Sequence, residues 1–340
     1  MKYLFLGLLT IFTVSCNMAQ SSVKPTELKT KTRTDYAATI TASDLKTHLY
    51  IYAGDAMEGR MTGTKGQKLA TEYLRNFYMD HGIKSPLEEN NYYQRVPKSY
   101  FRGKEGTMDS ENVVAFIEGS EKPDEIVIIS AHLDHVGTDS SGNVFNGADD
   151  DGSGTVAILE IAQAFQQAVK DGNGPKRSIL FLHVTGEEIG LYGSKYYTEN
   201  PIFPLENTVC DLNIDMIGRI DPKKADNPNY VYLIGSDKLS QELHDLSERV
   251  NKKYSNLELD YTFNDENDPN RFYYRSDHYN FAKNNVPIIF YFNGVHEDYH
   301  KMTDTPDKIE YDLMEKRTRL IFQTAWEVAN QEKRIIADKL

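Results

Sequence analysis

Five short motifs hold residues whose types and spacing suit metal chemistry. In chain order they are AHLDHVG (131–137), NGADDDGSG (146–154), GEEIGLYGS (186–194), NIDMIGR (213–219) and YHKMTDTPDK (299–308). Each presents an Asp, Glu or His at or near the end of an apolar, strand-like run. Histidines with several carboxylates form a mixed nitrogen and oxygen donor set, which suits zinc, cobalt or manganese better than calcium. Five such motifs in series point to a metal site built along one edge of a sheet.

The individual motifs divide the work. In EIVIISAHLDH, His132 and Asp134 are two residues apart on a strand and so share a face; His132 is placed to bind metal and Asp134 to brace a neighbouring ligand. In NGADDDGSG, glycines allow a tight turn where a helix begins. One of the three aspartates suits capping of that helix, and another suits bridging two cations. Glu187 and Glu188 are adjacent at a strand end, where like charges repel unless a metal or a shared proton relieves them. One glutamate on metal and one free to take a proton is the natural division. Asp215 and His300 complete two metal spheres, whereas His183, inside its strand, reads as a core histidine.

These residues must be positioned by a sheet. NVVAFIEG, EIVIISAHLD, SILFLHVTG, VCDLNIDMIG, YVYLIG and PIIFYFNG read as strands, several of them apolar throughout and therefore buried on both faces. Helical spacing runs through Gly66–His81, Thr155–Val169, Leu239–Tyr254 and Asp312–Asp338. Strands alternating with helices predict an α/β fold with a doubly wound, mostly parallel sheet, in which ligands bind beyond the carboxyl ends of the strands. Residues 264–275 (NDENDPNRFYYR) read as a long loop near the site.

The 340 residues permit such a domain, and a hydrophobic fraction of 39% supplies its core. A net charge of −13 argues against a nucleic-acid partner. Residues 1–19 read as an export signal: Lys2 gives the positive end, and Leu4–Val14 an apolar core too short for a lasting membrane anchor. Cleavage follows Ala19, leaving Gln20 first, or precedes Cys16, since Thr13-Val14-Ser15-Cys16 resembles a bacterial lipoprotein box with Thr13 where Leu is usual. The lipoprotein reading is preferred, because a lone Cys directly after the apolar run and before a polar tail suits that pathway. Periplasm or outer membrane is the expected location, with secretion otherwise. Residues 20–38 read as a flexible tether and 39–340 as the catalytic domain. Cys210 is then the one cysteine left to pair, and reads as a small buried hydrophobe.

In this order the five motifs resemble those of peptidase family M28, the dinuclear zinc aminopeptidases. The resemblance covers roughly residues 40–335 and includes the opening segment MEGRMTGTKGQKLATEYL. It implies a single α/β domain with an eight-stranded mixed sheet and two zinc ions, with Co2+ or Mn2+ as substitutes. His132 and Asp215 would ligate one ion, Glu188 and His300 the other, and Asp150, two before the Gly of D-x-G-S-G, would bridge them. Glu187 matches the general base, Asp134 the residue that braces the ligands, and Tyr299 a tyrosine that stabilises the oxyanion in some members. The implied reaction removes N-terminal residues from peptides, by a water shared between cations about 3.5–4 Å apart. Arg219 and Asp277 are candidates for lining the substrate site, with a structural ion pair as the other reading.

Other readings are a glutaminyl cyclase-like aminoacyltransferase, a metallocarboxypeptidase or deacylase of family M20, and a binding module with a decayed site. The first sits poorly with retention of both His132 and the Glu187-Glu188 pair. The second fits GADDDGSG and YHKMTDTPDK less well. The third would have lost ligands, and none is missing.

Overall fold

In Ile126–Ile129, β-branched side chains alternate between two apolar environments. Val127 and Ile129 join one buried cluster, Ile126 and Ile128 another. A strand buried on both faces is the signature of a sheet wound with helices on each side. The computed structural model describes residues 31–340 except 89 and 103–107, and shows that arrangement. Its strands are β1 (Tyr93–Val96), β2 (Ser110–Ile117), β3 (Lys122–His132), β4 (Arg177–Val184), β5 (Thr208–Ile214), β6 (Tyr230–Ile234), β7 (Glu258–Asp260) and β8 (Ile288–Phe292). They form one eight-stranded sheet in the order β1-β2-β4-β3-β5-β8-β6-β7. The central four, β4-β3-β5-β8, are mutually parallel, while β2 and β6 flank them antiparallel. This is the mixed, mostly parallel sheet expected from the sequence.

The helices are α1 (Arg33–Ala37), α2 (Ala42–Tyr52), α3 (Lys65–His81), α4 (Gly154–Lys170), α5 (Tyr192–Glu199), α6 (Gln241–Tyr254), α7 (His278–Ala282) and α8 (Tyr311–Asn330). The larger apolar cluster packs α1 to α4, α6 and α8 on one face, and the smaller one takes Tyr197 of α5 and Phe281 of α7 on the other. Helix α3 stops at Gly82, whose φ of +71° is the left-handed conformation that glycine adopts freely. Among the described residues no helix is long and apolar enough to cross a membrane.

Three expectations need correction. Strands β1 and β7 are absent from the sequence reading, because they are short edge segments with no apolar run. Helix α8 ends at Asn330 instead of reaching Asp338. The buried Arg177 guanidinium collects the carbonyls of Val328, Gln331 and Glu332 there, which draws the chain out of the helix. The domain also starts earlier than residue 39: Tyr36 and Ala37 of α1 are buried, and the Tyr36 ring stacks on Trp326 at 5.6 Å. The export signal and residues 20–30 lie outside the described residues. Cys210 and His183 are both fully buried as expected, and His183 Nε2 meets the Tyr78 hydroxyl at 2.6 Å.

Candidate metal centre

The four parallel strands deliver the motif residues to one edge. His132 is the last residue of β3, Asp215 directly follows β5, Glu187 and Glu188 lie in the turn after β4, and His300 lies in the loop after β8. Asp150 sits in the turn before α4. That turn is held from three sides. Asp151 accepts the backbone N–H groups of His132, Gly154 and Met216, Asp149 accepts that of Gly218, and the Asp304 carboxylate accepts those of Asp149 and Asp150. Asp151 thereby fills the capping role expected of one aspartate. Its nearness to His132 and Asp215 makes it a metal candidate by distance, but its oxygens are already used by three backbone N–H groups. Asp150 is the aspartate of the three with neither carboxylate oxygen taken by a backbone N–H, whereas one oxygen of Asp149 accepts that of Gly218.

The Asp150 carboxylate faces both halves of the cluster. Its Oδ1 lies 3.2 Å from His132 Nε2, and its Oδ2 lies 2.9 Å from His300 Nε2. Asp215 Oδ1 is 3.7 Å from the same His132 nitrogen, and Glu188 Oε2 is 3.1 Å from His300 Nε2. His132 Nδ1 donates to the backbone carbonyl of Asp134 at 3.0 Å, which aims Nε2 at the carboxylates. Asp150 Oδ2 and Glu188 Oε1 are buried without a hydrogen-bond partner among the described residues. Imidazole nitrogens and unpartnered buried carboxylate oxygens fit a divalent cation such as zinc.

Electrostatics separate the two glutamates. Burial pushes the Glu187 carboxyl well above the usual carboxylate range, and Glu188, Asp277 and Asp215 reinforce it against the opposing pull of His132. Burial and Asp150 act upward on Glu188 too, yet His135 and His300 outweigh them and hold it below its ordinary value. Neighbouring carboxyls pushed apart in this way are suited to opposite roles, Glu187 to carrying a proton and Glu188 to staying anionic. His300 is pushed up to about 10: burial opposes the shift, and Asp150 and Glu188 overcome it. Divalent cations bind such a cluster in competition with protons.

A recess opens beside these groups. Asp150, Glu187, Asp215 and Tyr299 line it together with Met216, Phe272, Phe290, Phe292, Val295 and Arg275. Phe272 and Arg275 come from the segment 264–275 expected to lie near the site.

The sequence profile of peptidase family M28 matches residues 112–325, well over half of the chain. The chain belongs to peptidase family M28. Leupeptin-inactivating enzyme 1 of Streptomyces exfoliatus is 32% identical over 191 residues, which are 56% of this chain and 37% of that protein. Aminopeptidase NAALADL1 of Rattus norvegicus is 37% identical over 110 residues, 32% of this chain and 14% of that protein. The matches thus span well under half the length of these curated relatives. Among solved structures, the LapA aminopeptidase of Legionella pneumophila superimposes with a TM-score of 0.68 at 19% identity, covering 88% of this chain and 75% of that one. BSAP, a zinc aminopeptidase from Bacillus subtilis, gives 0.65 at 15% identity, covering 88% and 98%. At these identities the likeness is one of fold.

Within this M28 fold, His132, Asp150, Glu188, Asp215 and His300 come together, and Glu187 and Tyr299 line the adjoining recess. Asp134 is buried where expected but braces a different element. Its carboxylate is 3.9 Å from His132 Nδ1, and it accepts the Glu187 backbone N–H at 3.1 Å and the Thr62 hydroxyl at 2.7 Å. It therefore holds the turn that carries Glu187, while its backbone carbonyl orients His132. For Arg219 the geometry is that of the structural ion pair, the other reading of the sequence, and Asp277 is likewise engaged inside the protein. Asp277 is fully buried, accepts the Ser194 hydroxyl at 2.5 Å and is not on the wall of the recess. Arg219 is taken up by Asp298, with both terminal nitrogens 3.1 Å from one carboxylate oxygen.

Two contributors went unassigned in the sequence although both stand inside quoted motifs. One is His135 of AHLDHVG. The other is Arg60 of MEGRMTG, a fully buried guanidinium that donates to the carbonyls of Tyr52, Leu133, Asn146 and Gly147 at 2.7–3.3 Å. It ties the loop after β3 to the aspartate turn. Arg60→Ala would strand these carbonyls, so stability is expected to fall by about 3 kcal/mol or more, read as a lower urea midpoint. An unchanged midpoint would remove Arg60 from this role.

Proposed function

We propose that this M28 chain is an exported zinc-dependent aminopeptidase that holds two cations in one site. The observation that carries the reading is the Asp150 carboxylate, which offers one oxygen to the His132–Asp215 half and the other to the Glu188–His300 half of the cluster. His132 and Asp215 would hold one zinc, Glu188 and His300 the other, and Asp150 both. When bound, such a pair lowers the pKa of water and draws charge from a substrate carbonyl.

The chain's own residues do the rest. Glu187 takes a proton from the attacking water and returns it to the leaving amine, for which a carboxyl raised by burial is suited. The Tyr299 hydroxyl, kept protonated by burial and by the carboxylates of Asp150 and Glu188, donates to the oxyanion that forms on the carbonyl. Asp134 fixes the Glu187 turn through its backbone N–H. The carboxylates that line the recess suit the amino group of a free N-terminus, and its phenylalanines suit an apolar N-terminal side chain. NAALADL1, LapA and BSAP are aminopeptidases by name, so a glutaminyl cyclase-like transferase is not favoured.

A panel of aminoacyl-nitroanilides on the zinc-loaded protein tests this reading. Leu, Met and Phe derivatives are expected to be cleaved at least about tenfold faster in kcat/KM than Glu or Gly derivatives, because burying several methylenes in the recess is worth 1–3 kcal/mol. Cyclisation of an N-terminal glutamine in place of hydrolysis would refute it. Export is part of the proposal, motivated by the apolar run Leu4–Val14 and by Cys16 directly after it. Mass spectrometry of the mature chain is expected to find an acylated Cys16 at its N-terminus. Gln20 there would indicate simple secretion, and a retained Met1 would remove export altogether.

A further inference from the structure

His135 follows His132 by three residues and has no part in the hydrolysis outlined above, yet its ring points into the same cluster. Its side chain is wholly buried, with Nδ1 2.8 Å from Glu188 Oε1 and 3.8 Å from Asp150 Oδ2. Neither ring nitrogen makes a hydrogen bond among the described residues, and Glu188 Oε1 also lacks one. The 2.8 Å contact is therefore out of line for an N–H···O bond. Buried polar atoms are normally partnered, and leaving three of them bare in one place is costly. A cation between Nδ1 and Oε1 relieves both.

The position of the ring is built into the chain. Gly147 has φ +54°, and a Cβ there would lie 2.4 Å from His135 Cγ, so the aspartate turn closes on the ring only because the residue is glycine. The His300 ring stands at 73° to it, with centroids 5.7 Å apart. Ligands about 2.0–2.1 Å from a tetrahedral zinc stand about 3.3–3.4 Å from each other. The contacts among His135, Asp150, Glu188 and His300 run from 2.8 to 3.8 Å, which brackets that spacing.

We propose that His135, through Nδ1, is a further protein ligand of the cation held by Glu188, His300 and Asp150. This rests on the two-cation reading above and deepens it. One ion then has four protein donors, two imidazoles and two carboxylates. The other, with His132, Asp215 and Asp150, has three and keeps the open position that chemistry requires. The two positions are unequal, and the fully surrounded ion is retained longer on dialysis.

X-ray absorption at the zinc edge counts the imidazoles bound to the fully loaded natural chain. Three imidazoles shared by two ions are expected. Two would overturn the proposal while leaving the two-cation reading intact. Zinc titration against a competing chelator provides a second measure. In His135→Gln the dissociation constant of one ion should rise at least tenfold, with that of the other unchanged and one imidazole fewer in the absorption spectrum. Both constants unchanged would overturn the proposal. A natural chain that takes up only one zinc refutes the two-cation reading, and the proposal falls with it.

Discussion

Glu187→Gln is expected to leave metal content and folding intact while kcat falls by about 10²–10⁴-fold, the usual contribution of a positioned general base. In barrier terms this is about 3–5 kcal/mol. The amide keeps the shape of the side chain, and the backbone N–H of residue 187 can still bond to Asp134. What is lost is a carboxyl that burial and neighbouring negative charge have made readier to hold a proton. Glu188→Gln differs in kind: it removes an anion held low by two histidines, so zinc occupancy should fall together with activity. Stopped-flow turnover alongside metal analysis separates the cases. Near-normal kcat in Glu187→Gln with both ions bound would mean that another carboxylate carries the proton.

Asp150→Asn should be the most damaging single change for metal binding, because one carboxylate faces both halves of the cluster. Changes one bond further from a metal already cost 10–100-fold in affinity, so the bridging position should cost more than about 100-fold for both ions. Activity should vanish, as it should in the natural chain after exhaustive chelation. The thermal midpoint should also drop, by about 10 °C, since each ion at saturating concentration adds about 2.7 kcal/mol to the folded state. His300→Ala should chiefly weaken one ion. Asp149→Asn is the informative control: its oxygen that accepts the Gly218 N–H can be replaced by an amide oxygen. If Asp149→Asn removes both ions and Asp150→Asn does not, the bridge is misassigned.

The parts of this molecule that can be read from sequence are those governed by local periodicity. Doubly apolar runs such as that in β3 announce buried strands, and Leu69, Leu74 and Phe77 announce α3. Strand-end acids and histidines could be collected because a parallel sheet brings its carboxyl ends to one edge. Edge strands β1 and β7 carried no such signal, since Glu258–Asp260 is short and polar and takes its conformation from its partner β6. Helix α1 was hidden in a polar stretch, because its burial depends on Trp326, nearly three hundred residues away. The true partners of Asp134, Arg219 and Asp277 were also out of reach. Which donor a buried carboxylate accepts from depends on loops that meet only in three dimensions. Alternation along a strand would put Asp134 on the His132 face, yet β3 ends at His132 and the Asp134 carboxylate accepts from the Glu187 turn and from Thr62.

The Arg60 guanidinium has a bearing on what counts as one inheritable unit. The stretch that carries the family's sequence signature, 112–325, contains every proposed ligand and the proposed base. It omits Arg60 and Thr62, which hold the loops around those residues from outside. Chemistry and scaffolding are thus encoded in different parts of the chain. A gene fragment cut to the signature would carry all the reactive groups while leaving the carbonyls of Leu133, Asn146 and Gly147 without their shared donor. The segment before β1 therefore belongs to the candidate metal centre as much as the strands that carry its ligand residues do.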